Sequence, residues 1–365
     1  METRRARDLG IEIGRFSPGP LNAITDVPGV RVGHSTVIRG SGPGAVRTGV
    51  TAVWPRERPW RDRVFAGTAV LNGYGELIGI SHIDELGLLP TPVVLTSSLS
   101  IGLAYDATAK WIHETDPGLD EVPMPVVTEC DDGFLNDSHS FPLASEDVFR
   151  ALENSHDGEV EEGCVGAGTG MQCFDFKGGI GTASRILPSD AGGYVVGALV
   201  LTNFGSRPDL LIAGVPVGRE ITDLMPSAHS EGSAIAIAAT NAPMLPHQLN
   251  RLALRAGFGL VRSGSIAENW SGELLLAFST AQTVPLEVKA PRTSVEALPD
   301  GVGNMQSKVY NALFGAAVES VEEAVANALL LSETMEGRDG NVLHALPVER
   351  TLEILRRHGR AGAPS

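Results

Sequence analysis

A serine hydroxyl becomes a good nucleophile when a base lies beside it, and one position in this chain can supply both groups from a single residue. Gly232-Ser233 ends a polar stretch and opens an apolar one, Ser233-Ala234-Ile235-Ala236-Ile237-Ala238-Ala239-Thr240. If the bond between them is broken, Ser233 carries its hydroxyl and a free α-amino group with a pKa of roughly 7.7–8.0. Such an amine can activate the neighbouring hydroxyl. Glycine on the other side leaves its carbonyl unshielded and admits strained backbone. Gly-Ser is also a common turn dipeptide, so the pair needs support. In Ser271-Gly272-Glu273-Leu274-Leu275-Leu276, a strand period of two puts Ser271 and Glu273 on one face. A carboxylate orienting a second hydroxyl follows the logic of a triad without histidine; two solvated residues at an exposed turn is the plainer alternative. Asn203 follows an apolar run ending at Thr202, where its amide could donate to an oxyanion or simply end the strand in a turn.

Other chemistries lack their residues. The nine histidines show no H-E-x-x-H or other close ligand spacing, so no metal is expected. No G-x-S-x-G and no G-x-x-x-x-G-K-[ST] occurs, and Gly166-Ala167-Gly168-Thr169-Gly170 misses the G-x-G-x-x-G register, so no nucleotide cofactor is expected. Cys130, Cys164 and Cys173 are an odd set without C-x-x-C spacing, which argues against a disulfide framework and a structural zinc. The 365 residues carry 28 Lys+Arg against 44 Asp+Glu, a net charge of −16, with no basic cluster to meet a nucleic acid. The longest apolar stretch, 191–201, is short of the roughly 20 residues that span a bilayer. The charged N-terminal residues have no apolar run behind them, and the chain reads as cytoplasmic and reduced.

The elements that must hold these residues can be read from hydrophobic pattern. Hydrophobic residues are 42% of the chain, enough for a sizeable core. Short apolar runs bounded by glycine and proline predict strands around 30–32, 49–54, 92–96, 125–129, 193–202, 210–217, 233–240 and 274–278. Helical spacing predicts helices over 104–113, 145–153 with Ser145 as N-cap, and 246–256, then one long helix or two over 305–331. The stretch 219–232 has no period and several charges and predicts an exposed loop. Strands and helices mix without a regular βαβα rhythm, which predicts a layered α+β sandwich.

At this point the chain resembles a known family. Leu21-Asn22-Ala23-Ile24-Thr25-Asp26-Val27-Pro28-Gly29-Val30 with Val32-Gly33-His34, Gly178-Gly179-Ile180-Gly181-Thr182-Ala183-Ser184-Arg185, Gly232-Ser233, Ala242-Pro243-Met244-Leu245-Pro246-His247-Gln248-Leu249, Ser271-Gly272-Glu273 with Ala277-Phe278-Ser279-Thr280, and Gly337-Arg338-Asp339-Gly340 are similar to the self-processing P1 (DmpA-type) L-aminopeptidase/D-esterase peptidases, with the β-aminopeptidases as close relatives. The resemblance runs from about residue 5 to about residue 355.

It implies a four-layer αββα sandwich, like N-terminal-nucleophile hydrolases but differently connected. It implies one self-processing unit cut at Gly232-Ser233 into an α chain, 1–232, and a β chain, 233–365. Ser233 would be the nucleophile, Ser271 and an ionised Glu273 its assistants, and Asn203 part of the oxyanion hole. No metal or cofactor is implied. The substrate would be a short peptide, amide or ester, D- or β-configured residues included, and the working form a homo-oligomer, a tetramer, of αβ units. An amidohydrolase of ω-amino acid oligomers, an acyltransferase, or an unprocessed binding homologue are the alternatives on the same scaffold. Asp131-Asp132-Gly133 before Leu135-Asn136-Asp137 departs from the family's Tyr-Asp-Gly. Asp131 stands where a tyrosine would, and with Asn136 is expected to bind substrate; a carboxylate donates a hydrogen bond only when protonated.

Overall fold

The structure, a computed structural model, describes residues 4–228, 232–287, 294–300 and 304–362. Its strands are β1 (Arg31–Arg39), β2 (Val46–Trp54), β3 (Asp62–Gly73), β4 (Leu77–Ile78), β5 (Leu88–Leu89), β6 (Val93–Ser97), β7 (Val126–Cys130), β8 (Gln172–Cys173), β9 (Phe176–Lys177), β10 (Ile180–Ile186), β11 (Val195–Thr202), β12 (Ala234–Thr240), β13 (Gly272–Pro285), β14 (Met335–Glu336) and β15 (Val342–Leu343). The helices are α1 (Ile80–Leu86), α2 (Ile101–Thr115), α3 (Ser145–Glu153), α4 (Val217–Glu220), α5 (Pro246–Arg262), α6 (Asn304–Leu330) and α7 (Val348–Arg357).

Period-two alternation sorts the side chains of each strand between two cores. Ala234, Ala236 and Ala238 of β12 pack with Leu252, Ala256, Leu313 and Ala317 of α5 and α6. Between them, Ile235 and Ile237 point the other way, into a core shared with Val93, Leu95 and Val126 of the second sheet. On the far side, Val50, Ala52, Val94 and Val127 meet Ala104, Ala107, Val148 and Ala151 of α2 and α3. Three apolar cores therefore separate four layers, helices, sheet, sheet, helices, as expected of the αββα sandwich. One sheet runs β1-β2-β6-β7-β4 and the other β10-β11-β12-β13-β3-β5. In the second, β12 lies antiparallel to β11 and parallel to β13, with Ala234 opposite Glu273. That register brings the N-terminal ends of β12 and β13 to the same edge of the sheet.

Several boundaries differ from expectation. The run 305–331 is one helix, α6, and α5 continues to Arg262 beyond 256. Strand β11 starts at Val195 because Gly192 and Gly193 turn with φ of 97° and 64°. Ala144 rather than Ser145 caps α3, its N–H donating to Asp147 Oδ2 at 3.0 Å. The strand expected over 210–217 does not form. Ala213 and Gly214, at φ 50° and 79°, fold it into a tight turn bridged between Ile212 and Val215, and α4 follows. The loop expected over 219–232 is not wholly exposed either: Ile221 is buried, and Arg207 Nη1 donates to the carbonyls of Ile221 and Asp223 at 3.0 and 2.8 Å. Positions 229–231 of that stretch lie outside the described residues.

Candidate active site

Ser233 sits immediately before β12, buried, where the ends of β11, β12 and β13 meet. Its carbonyl is gripped by two donors, the Asn203 N–H at 3.0 Å and the Cys130 thiol at 3.3 Å. Burial pushes the Cys130 thiol well above the ordinary cysteine range, so it stays protonated and can donate. On the other side the Ser233 Oγ accepts the Gly272 N–H at 3.2 Å. Backbone and hydroxyl are thus both fixed before any substrate arrives.

Gly232 explains its own residue type. A Cβ there would lie 1.9 Å from the Asn203 carbonyl oxygen and 2.5 Å from its Nδ2, so nothing larger than glycine fits. The Asn203 side chain therefore lies directly against Gly232. Its Nδ2 donates to the Asp131 carbonyl at 2.8 Å, and its Oδ1 accepts the Gln172 N–H at 2.8 Å, which fixes the amide's orientation. Gly272 is equally confined, with a Cβ placed 2.7 Å from the Tyr74 carbonyl oxygen.

Ser271 precedes β13 and donates its hydroxyl to Glu273 Oε1 in a short hydrogen bond; both residues are buried. The second oxygen of Glu273, Oε2, has no hydrogen-bond partner among the described residues. Burial, opposed by the Ser271 hydroxyl, pushes the Glu273 carboxyl up to about 7. A carboxyl raised to that range can both take and give a proton near neutral pH.

Of these residues, Gly232 and Ser233 line an open cleft of about 540 Å³, which is bounded also by Tyr74, Glu76, Ser98, Glu129, Asp131 and Trp270. Sequence reasoning passed over Glu129. It is a buried acid near the end of β7, with Oε1 accepting the Glu76 N–H at 2.9 Å and Oε2 accepting a short bond from the Ser98 hydroxyl. Burial raises its carboxyl, with Asp131 and Glu76 adding to the rise and these two bonds opposing it. The available signal was an acid inside Val126-Val127-Thr128-Glu129-Cys130, a strand otherwise built to be buried on both faces.

Asp131 does reach the cleft wall, and its Oδ1 accepts the Gly133 N–H at 3.0 Å. Asn136 does not. It is buried behind Asp131, donating to Asp132 Oδ1 at 2.9 Å and accepting the Arg47 N–H at 3.0 Å, so both ends of its amide are used internally. Among the described residues no group of three or more His, Cys, Asp or Glu side chains is placed to hold a metal ion, and no helix is long and apolar enough to cross a membrane.

The chain is 41% identical to the beta-peptidyl aminopeptidase BapA of Sphingosinicella microcystinivorans, over 99% of this chain and 94% of that protein. The solved beta-aminopeptidase of a Burkholderia species superposes with a TM-score of 0.90 at 45% identity, covering 99% of this chain and 100% of its own. The L-aminopeptidase D-Ala-esterase/amidase of Ochrobactrum anthropi, described as a prototype of the serine aminopeptidases and a new variant among the Ntn hydrolase fold, gives 0.90 at 42% identity, over 98% of this chain and 99% of its own. The model of peptidase family S58 matches residues 22–343. With nearly nine-tenths of its length inside that match and relatives above 40% identity over nearly all of it, the chain belongs to peptidase family S58.

Proposed function

We propose that this chain cuts itself between Gly232 and Ser233 and then acts as an N-terminal serine aminopeptidase on short peptides, amides or esters with a free amino group. The observation that carries the reading is the setting of Ser233. Ser233 lines a solvent-open cleft, its backbone is clamped by Asn203 and Cys130, and the residue before it can only be glycine. In self-cleavage the Ser233 Oγ adds to the Gly232 carbonyl carbon and the amide nitrogen leaves as the Ser233 amine. Water then hydrolyses the resulting ester, giving the Gly232 carboxylate and restoring the hydroxyl. The products are residues 1–232 and 233–365.

In turnover the freed amine of Ser233 or the Ser271–Glu273 pair accepts the Oγ proton as Oγ adds to the substrate carbonyl. The Asn203 amide, lying against Gly232, is where the oxyanion of that carbonyl gains a donor. The departing nitrogen takes a proton from the same base, and water hydrolyses the acyl-enzyme. Glu129 gives the site its preference for a free amine. Among the described residues the buried Glu129 carboxylate is held by a hydroxyl and an amide N–H; a cation would complete it, and a substrate ammonium supplies one. Asp131 adds to the negative potential of that end. The relatives' names, beta-aminopeptidases among them, support β-aminoacyl groups within the substrate range.

The test is a hydrolysis panel of β-, L- and D-aminoacyl amides, each free and N-acetylated. Cleavage of free-amine substrates with loss of activity on acetylation is the expected result. Equal rates on acetylated substrates, or no hydrolysis of any member, would overturn the reading.

A further inference from the structure

We propose that Lys177 is a positioning residue for the oxyanion hole: by binding the Met171 carbonyl, its side-chain nitrogen sets the Met171–Gln172 peptide that orients the Asn203 amide. The proposal rests on the reading of Ser233 as nucleophile and of Asn203 as its oxyanion donor.

Lys177 ends the short hairpin of β8 and β9, where it pairs with Gln172, and it is fully buried. Its Nζ donates to the carbonyls of Gly168, Met171 and Gly178 at 3.0, 3.1 and 2.6 Å. Three acceptors take all three N–H groups of an ammonium, whereas the neutral amine has two. Burial lowers its pKa from the ordinary lysine value, opposed chiefly by Cys164. An ammonium out of water is unstable without such partners, so the cation and its cage of carbonyls fix each other.

One carbonyl of the cage leads to the cleft. A trans peptide is planar, with its C=O and N–H pointing opposite ways. The unit whose carbonyl Lys177 holds is also the unit whose N–H, that of Gln172, donates to Asn203 Oδ1 at 2.8 Å. The Met171 oxygen accepts the Gly178 N–H at 2.8 Å as well, so the plane is pinned twice. A cation on the oxygen also polarises the unit and strengthens its N–H as a donor. With Oδ1 engaged, Asn203 turns Nδ2 toward Gly232. One of its N–H groups goes to the Asp131 carbonyl and the other is available to an oxyanion. Turned end for end, the same amide would set an oxygen against the oxyanion.

The packing carries this cage to the end of β11. A Cβ on Gly178 would lie 2.5 Å from the carbonyl oxygen of Thr202, the residue before Asn203. The Thr202 N–H donates to the Gly179 carbonyl at 3.0 Å, and the Gly179 N–H to Thr202 Oγ1 at 3.0 Å. Beyond Asn203, the Phe174 N–H donates to the Phe204 carbonyl at 2.8 Å. The hairpin is thus tied to the chain on both sides of Asn203.

The experiment compares Lys177→Met, which keeps much of the volume and loses the charge, with Asn203→Ala and the double variant. Two rates are read in each: first-order self-cleavage of the newly made precursor, and turnover of a β-aminoacyl amide by the cut enzyme. Lys177→Met should lower self-cleavage and kcat about 10–100-fold with KM within about twofold, a share of the roughly 10²–10³ that one oxyanion donor is worth. The double variant should lie within about threefold of Asn203→Ala, because groups that act as a unit are non-additive. Self-cleavage alone gives the comparison for a variant that yields no cut enzyme. Wild-type rates in Lys177→Met overturn the proposal. So does a loss confined to KM, or one that multiplies with the loss in Asn203→Ala. If Lys177→Met does not fold, hydrogen exchange of the wild type decides. The Gln172 N–H should exchange as slowly as those of β11 and β12, and exchange as fast as in exposed loops overturns the proposal. A wild type that neither cuts itself nor hydrolyses the amide overturns the underlying reading of Ser233 instead.

Discussion

Buried carboxylates occur in two regions of this molecule, and their surroundings are opposite. Along α6, Glu323 meets Arg185 at 2.6 Å and Arg7 at 3.0 Å, Glu319 meets Arg185 at 3.5 Å, and nearby Glu162 meets Arg5 at 2.7 Å. At the cleft, Glu129 is held by the Ser98 hydroxyl and the Glu76 N–H and Glu273 by the Ser271 hydroxyl, with, among the described residues, no arginine or lysine within ion-pair distance. The first set stitches the N-terminal segment and β10 to α6, with every charge opposed. The second is left with protons to exchange and a cation to accept. Charge that is matched inside the fold is structure; charge left unmatched beside a cleft is available for chemistry.

Breaking the unmatched set should cost rate. Glu273→Gln keeps the volume and removes the proton acceptor, so in cleaved protein kcat should fall by about 10²–10⁴, as for a lost acid–base partner. The double variant with Ser271→Ala should be little worse than the poorer single variant, because groups that act as a unit are strongly non-additive. Steady-state kinetics on processed protein checks both. A Glu273→Gln enzyme with more than half the wild-type rate would place the base elsewhere, at the Ser233 amine.

Breaking the matched set should cost stability instead. Arg185→Met removes the fully buried cation shared by Glu323 and Glu319, leaving Glu323 with Arg7 alone, and a loss of about 3 kcal/mol is expected in denaturant unfolding. The kcat of the protein that remains folded should be unchanged. Between these cases lies Glu129→Gln. Removing one charged partner of the substrate ammonium should lower kcat/KM for free-amine substrates about 10–100-fold, the worth of a hydrogen bond to a charged group. N-acetylated substrates, already poor, should not become poorer.

The smallest effect concerns pH. Glu273 titrates at about 7 in the folded chain against an ordinary value of 4.5, so between those values the native state holds a proton that the unfolded chain has released. Its contribution to stability is therefore fully present below about 4.5 and is lost as pH rises through about 7. Glu273→Gln should flatten the fall in unfolding free energy across that window. Glu162, pushed up to about 7, and Asp132, to about 6, shift in the same direction and remain in the variant, so a residual slope is expected. An unchanged slope in Glu273→Gln would place the Glu273 proton outside the window.

Much of the site is legible in the chain because its logic is local. Gly232-Ser233 before a small-residue strand, and Ser271 two residues from Glu273, are readable as neighbours in sequence, and β12 and β13 then bring them together by register. The layers are legible for the same reason: alternation in β12 and helical spacing in α6 each name the face to be buried. What was not legible depends on distant partners. Glu129 lies in a strand that reads as pure core, and its partners Glu76 and Ser98 at the cleft are distant in sequence. The segment 210–224 reads as a strand and an exposed loop, yet Arg207, buried and stacked 3.3 Å from the centre of the Phe176 ring, gathers its carbonyls into a compact turn. Asn136 looks like a polar group for a ligand, and the backbone of Arg47 and the side chain of Asp132 claim it first.

The most direct measurement is the fate of the bond before Ser233. The account predicts that purified wild type runs as two fragments of about 24 and 14 kDa, the shares of 38.3 kDa carried by residues 1–232 and 233–365. N-terminal sequencing of the smaller should begin Ser233-Ala234-Ile235, and Ser233→Ala should remain one intact, inactive chain. A fully active protein that stays uncut, or a small fragment beginning at another residue, would contradict it.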